Sequence, residues 1–89
     1  MFELRLSRQV SKFLEKLPHK HANQIAHKIS ALLDHPFPND MKHVEEFYRV
    51  DSGEYRILYH IEGNDLYVDL VGKRNDDEVY KKMRRILKK

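Results

Sequence analysis

The chain has 89 residues, of which 40% are hydrophobic and 35% charged, and it contains no cysteine. That length admits one core and a single domain over 1–89. The composition excludes a disulfide framework, thiolate chemistry and a compositionally disordered chain. No apolar stretch approaches membrane-spanning length, and the opening MFELRLSRQV lacks the apolar region of a signal peptide, so a cytoplasmic location is expected. Net charge is +3, but it is unevenly spread. Gly72 to Lys89 holds eight basic and three acidic residues, or +5, against −2 for the remainder. A basic end of this kind suits a polyanion or an acidic protein partner.

Phe2, Leu4 and Leu6 alternate with Glu3 and Arg5, which predicts a short strand with one face buried. Ser7 then caps a helix whose apolar positions are Val10, Phe13, Leu14 and Leu17, and Pro18 ends it. A second helix is expected from about His21 to Leu33, with Ala22, Ile25, Ala26, Ile29, Leu32 and Leu33 on one face. The two should form a helical hairpin packed on a sheet. After the turn-rich connector His35 to Asp40, Val44–Val50 reads as a strand and Asp51-Ser52-Gly53 as its turn. Glu54–Glu62 and Asp65–Lys73 are stronger strands, joined by Gly63-Asn64. Asn75, three residues before Glu78, fits a capping-box start for a last helix that carries Val79, Met83, Ile86 and Leu87 as an apolar stripe. The order β-α-α-β-β-β-α predicts a small α+β domain with a mostly antiparallel, four-stranded sheet.

The chemistry-bearing residues are guanidinium groups and phenols. Arg49, Arg56, Lys73, Arg74 and Tyr80 lie within the stretch from Tyr48 to Tyr80. A guanidinium presents a planar fork to phosphate oxygens and keeps its charge at physiological pH. Arg56 shares a strand face with Leu58 and His60, so it needs either a ligand or a structural partner, for which Glu45, Glu46 and Asp69 are the candidates. The six histidines show no metal-binding spacing; His19, His21, His27 and His35 read as surface residues, and His60 as structural or as a proton carrier. No metal or other cofactor is implied.

Taken together, Tyr48-Arg49, GEYRILY over 53–59, LVGKRNDDEVY over 70–80 and the basic final helix resemble the RelE/ParE superfamily of toxins from toxin–antitoxin systems. The resemblance covers nearly the whole chain. Its RelE branch implies a ribosome-dependent mRNA endonuclease, an mRNA interferase that needs no metal and inhibits translation. In that chemistry the 2′-OH of an mRNA nucleotide in the ribosomal A site attacks the adjacent phosphate. The resemblance implies catalytic roles for Arg56, Arg74 and Tyr80. It implies substrate binding by Arg49, with Lys73, Lys81, Lys82 and Arg85 contributing to contacts with mRNA and ribosomal RNA of the 30S subunit. Phe47, two residues before Arg49, departs from a RelE pattern that carries a further Lys on this strand. A cognate antitoxin, held in a hetero-oligomer, is the expected protein partner, and no membrane is. The alternatives within the superfamily are a ParE-like inhibitor of DNA gyrase and a binding member with weak catalysis.

Overall fold

A computed structural model describes residues 2–87, apart from the side chain of Asp76; Lys88 and Lys89 of the basic end lie outside the described residues. Strand β1 (Glu3–Leu6) is followed by α1 (Arg8–Lys16) and α2 (His19–Asp34). Strands β2 (Lys42–Val44), β3 (Phe47–Ser52), β4 (Tyr55–Glu62) and β5 (Asp65–Lys73) come next, and α3 (Glu78–Leu87) closes the order. The sheet order is β1-β5-β4-β3-β2. Strands β2 to β5 form an antiparallel meander, and β1 joins β5 in parallel.

The α+β class and the meander are as expected, but there are five strands among the described residues where four were expected. The expected strand Val44–Val50 is two strands folded about Glu45-Glu46. Glu45 adopts a φ of 55°, which a non-glycine residue reaches at a cost, so the turn carries none of the usual Gly or Asn signals. The next turn also shifts: Asp51 and Ser52 belong to β3, and the chain reverses at Gly53-Glu54, with Gly53 at φ 59°.

The helices form where the pattern placed them, with moved ends. The Ser7 side chain accepts from Val10 N, as a cap should. Pro18 does more than stop α1. Its φ of −55° already suits a helix entrance, and α2 begins directly after it, two residues before the expected His21, so His19 and His21 are both helical. Asn75 does not cap α3. Arg74–Asp76 form a 3-10 turn, Asp77 takes a left-handed conformation at φ 51°, and the helix starts at Glu78.

The sheet is covered on both faces, which explains why β4 is apolar on both. One core unites Val10, Ile25, Ile29 and Leu32 from the helical hairpin with Val50, Tyr55, Ile57, Tyr59, Leu66, Val68 and Val71. The other places Phe47, Leu58 and Leu70 under Val79 and Met83 of α3. A bulge between β4 and β5 lets one strand serve both. Leu58 pairs with Leu70 but Tyr59 with Val68, so Asp69 is an extra residue, and Val68 and Leu70 point into different cores. At the edge, β1 forms the expected strand, but the face expected to be buried is not: Leu4 and Leu6 stay about 40% exposed. Edge position, with a neighbour on one side only, leaves them uncovered.

Helix α3 approaches β5 closely at one point. A Cβ on Gly72 would lie 2.7 Å from Val79 Cγ2, below any real contact. Gly72→Ala should therefore cost about 1–3 kcal/mol through overpacking. Val79→Ala, costly alone, should recover part of that loss when combined with it. Urea unfolding of the two single variants and the double variant would measure this favourable coupling.

Candidate functional site

The face covered by α3 is apolar under the helix and polar at one end. Alternation on β3 puts Phe47, Arg49 and Asp51 on this face, and alternation on β4 adds Arg56, Leu58 and His60. Phe47 is buried among Leu58, Leu70, Val79 and Met83 and meets the His60 ring edge-on. Beyond that apolar patch the strands present their guanidinium groups.

Three of the expected site residues meet there. Arg49 Nη1 donates to the Tyr80 hydroxyl at 2.8 Å. The Arg56 guanidinium carbon sits 5.1 Å from the centre of the Tyr80 ring, a cation–π contact. Tyr80, the third residue of α3, thus holds one arginine with its hydroxyl and the other with its ring. The structural partners foreseen for Arg56 are not the ones it has. Asp51 Oδ1 lies 3.7 Å from Arg56 Nε, and Asp77 Oδ1 lies 3.7 Å from Arg56 Nη1. Asp51 Oδ1 is also 3.8 Å from Arg49 Nε. Neither Asp51 contact reaches hydrogen-bond distance, so Arg49 Nε, Arg56 Nε and Asp51 Oδ1 are buried without a hydrogen-bond partner. Unsatisfied buried polar atoms of this kind are uncommon in folded proteins.

Arg74 joins a different group. Its backbone N–H donates to the Glu54 carbonyl at 2.8 Å, which fixes the main chain at the end of β5. Its side chain is exposed and is held by a single 3.3 Å hydrogen bond to the Gly53 carbonyl. A shallow cavity of about 410 Å³ lies there, lined by Gly53, Glu54, Arg74 and Asn75. Lys73 is exposed opposite Tyr55. On α3, Lys81, Arg84 and Arg85 are exposed, while Lys82 is tied to Glu78 by a 2.9 Å ion pair. The apolar stripe of α3 splits in two: Val79 and Met83 are buried, whereas Ile86 and Leu87 are 45% and 36% exposed.

His60 stands further along the same face. Its Nδ1 is 2.6 Å from Asp69 and its Nε2 is 2.7 Å from Glu62, and its ring stacks on Tyr67 at 4.7 Å. Asp69, considered as a partner for Arg56, lies instead beside His60, two residues after Tyr67 on the same face. Both ring nitrogens face carboxylates, and only the imidazolium can donate to both. Burial works against that charge, but the hydrogen bonds and charges of Asp69 and Glu62 outweigh it and hold the His60 pKa above its ordinary 6.5. Burial likewise raises the Asp69 carboxyl, against the pull of His60. Elsewhere, His21 is less free than a surface residue, since its Nδ1 lies 2.8 Å from the Tyr55 hydroxyl. Among the described residues no group of three or more His, Cys, Asp or Glu is placed to hold a metal ion.

Asp51 is the member of the cluster that sequence reading missed, because Asp-Ser-Gly reads as a turn. Its separation of two from Arg49 was the available signal, since such residues share a strand face.

A family model described as the ParE toxin of type II toxin–antitoxin systems, parDE, matches residues 4–78. No curated protein sequence matches the chain significantly. Among solved structures, the isolated Escherichia coli RelE toxin is similar at a TM-score of 0.72 and 22% identity, over 98% of this chain and 99% of that one. An arginine-to-alanine double mutant of E. coli RelE in the free state gives 0.76 and 25%, over 96% and 97%. The toxin–antitoxin complex of RelB and RelE from Methanococcus jannaschii gives 0.65 and 21%, over 84% and 95%.

The His60 geometry has a measurable consequence. The imidazole should titrate by NMR with a midpoint above 6.5, and Asp69→Asn should lower it. A raised native pKa adds stability that is complete below the unfolded value and is lost as the pH rises through the native midpoint. The stability difference between wild type and Asp69→Asn should shrink over that window.

Proposed function

The chain belongs to the ParE toxin family of type II toxin–antitoxin systems, within the RelE/ParE superfamily, and from that premise we propose that it acts as a ribosome-dependent mRNA endonuclease. The observation that carries this reading is the meeting of Arg49, Arg56 and Tyr80 from β3, β4 and α3. Two guanidinium groups and one phenol, on a fold similar to that of RelE, suit a phosphodiester and need no metal. In this proposal the 2′-OH of an mRNA nucleotide attacks the adjacent phosphorus and the bond to the 5′ oxygen breaks. The products are a 2′,3′-cyclic phosphate and a 5′-hydroxyl. Arg49 and Arg56 stabilise charge on the equatorial oxygens, and Tyr80, its oxygen fixed by Arg49, aligns the 2′-OH. Arg74 neutralises the leaving oxygen. Its anchored backbone and weakly held tip let the side chain turn from Gly53 toward a substrate.

The ribosome supplies the alignment that a small, open site lacks, so the free protein is a poor nuclease. Exposed Lys73, Lys81, Arg84 and Arg85 meet ribosomal RNA, with a steep dependence on salt, and Lys82 adds to them once it leaves Glu78. The protein works in the cytoplasm. A cognate antitoxin neutralises it there, a reading that draws support from the RelB–RelE complex of M. jannaschii. A second reading, inhibition of DNA gyrase, draws on the family model, which is named for ParE.

Expression of the toxin alone in bacteria should arrest growth and cleave mRNA within translated frames, mapped by primer extension. With purified ribosomes programmed with mRNA, Arg56→Ala should lower the cleavage rate by about 10²-fold or more while the protein stays folded. Intact mRNA together with gyrase-dependent DNA damage would select the second reading.

A further inference from the structure

Asp51 carries no motif signal, yet it occupies the centre of the arginine cluster. The β3–β4 register sets it directly across from Arg56, and Arg49 lies two residues before it on the same face. One carboxylate oxygen, Oδ1, is shared between the Nε atoms of both arginines at 3.8 and 3.7 Å. All three atoms are buried. The remaining edges of the guanidinium groups are engaged outward, Arg49 Nη1 on the Tyr80 hydroxyl and Arg56 Nη1 toward Asp77, whose side chain is 69% exposed. Two like charges on one sheet face repel each other, and nothing in the strand geometry alone fixes which way their forks turn. A carboxylate on the Nε side offsets the repulsion and turns both forks outward.

We propose that Asp51 is the positioning residue of this site: it holds the Nε edges of Arg49 and Arg56 so that their Nη edges face one phosphodiester together. The proposal rests on reading the cluster as a phosphodiester site. It has a consequence that separates it from a plain structural role. Removing the carboxylate makes the site more positive by one charge, so attraction to RNA holds or rises. The forks lose their common orientation at the same time, so turnover falls. A residue that only stabilises the fold would lower both together. A carboxylate that only repels RNA would, when removed, raise both.

The test is Asp51→Asn, which keeps the side-chain shape and removes the charge. The first readout is the ¹⁵N–¹H spectrum of the arginine Nε–H groups, which needs no activity. Wild-type Arg49 and Arg56 should lie apart from the surface arginines, and both should move to the surface position in the variant. The second readout is a pair of measurements, binding of a short single-stranded RNA by the free protein and single-turnover cleavage on programmed ribosomes. Binding should be unchanged or tighter while cleavage falls at least tenfold. Unmoved Nε signals, or cleavage that is unchanged or faster, would overturn the proposal. If wild type does not cleave mRNA at all, the endonuclease reading fails, and the Nε signals still decide whether Asp51 sets the arginines. Asp51→Ser serves if the Asn variant does not fold. Failure of both to fold would make Asp51 a folding residue and end the proposal.

Discussion

Everything at the site depends on α3 lying flat against β5, and that contact exists because Gly72 has no side chain. Val79 occupies the space where a Cβ would be. Once Val79 is seated, Met83 follows one turn later into the same core, and Tyr80 is carried to the polar end of that face. There it meets arginines from two neighbouring strands. The glycine before Lys73-Arg74 is thus a packing requirement for the whole cluster. The cost of entering the helix is visible just before it, in the left-handed Asp77.

The polar end of this face is organised against stability. Two arginines with most of their surface covered share one aspartate at distances too long for hydrogen bonds, and three polar atoms go unsatisfied. Each such atom costs about 1–3 kcal/mol relative to a satisfied one. A cluster designed only for stability would close those distances or replace the charges with apolar residues. The His60 group at the other end shows the contrast: its two hydrogen bonds are short, its ring is stacked, and every polar atom of the imidazole is used. The first arrangement leaves buried donors unused, and the second is already complete.

The family model and the structural matches carry different names, ParE and RelE, for one fold. The fold supplies a sheet with two covered faces and a helix that delivers side chains to one of them. It does not specify what those side chains act on. The polar end of the face under α3 bears two guanidinium groups and a phenol in contact.

The sequence by itself determined the elements that have a strong period or a strong punctuation mark. Alternation placed β4 and β5, the 3.6-residue stripe placed α1 and α2, Ser7 and Pro18 marked their ends, and the quoted motifs pointed to the family. It also put Arg49, Arg56 and Tyr80 forward, because guanidinium and phenol chemistry shows in residue type. Signals failed where the backbone was held by its surroundings. Glu45 turns without glycine, Asp77 enters a helix that Asn75 was expected to cap, and the bulge at Asp69 turns Leu70 into the core opposite to that of Val68. Only the tertiary structure decided that Asp51 sits between two arginines and that Arg74 stands on a turn carbonyl instead of among them. The reason is physical: local pattern sets which face a side chain leaves from. Partners come from strand register and helix docking, which residues far apart in the chain fix together.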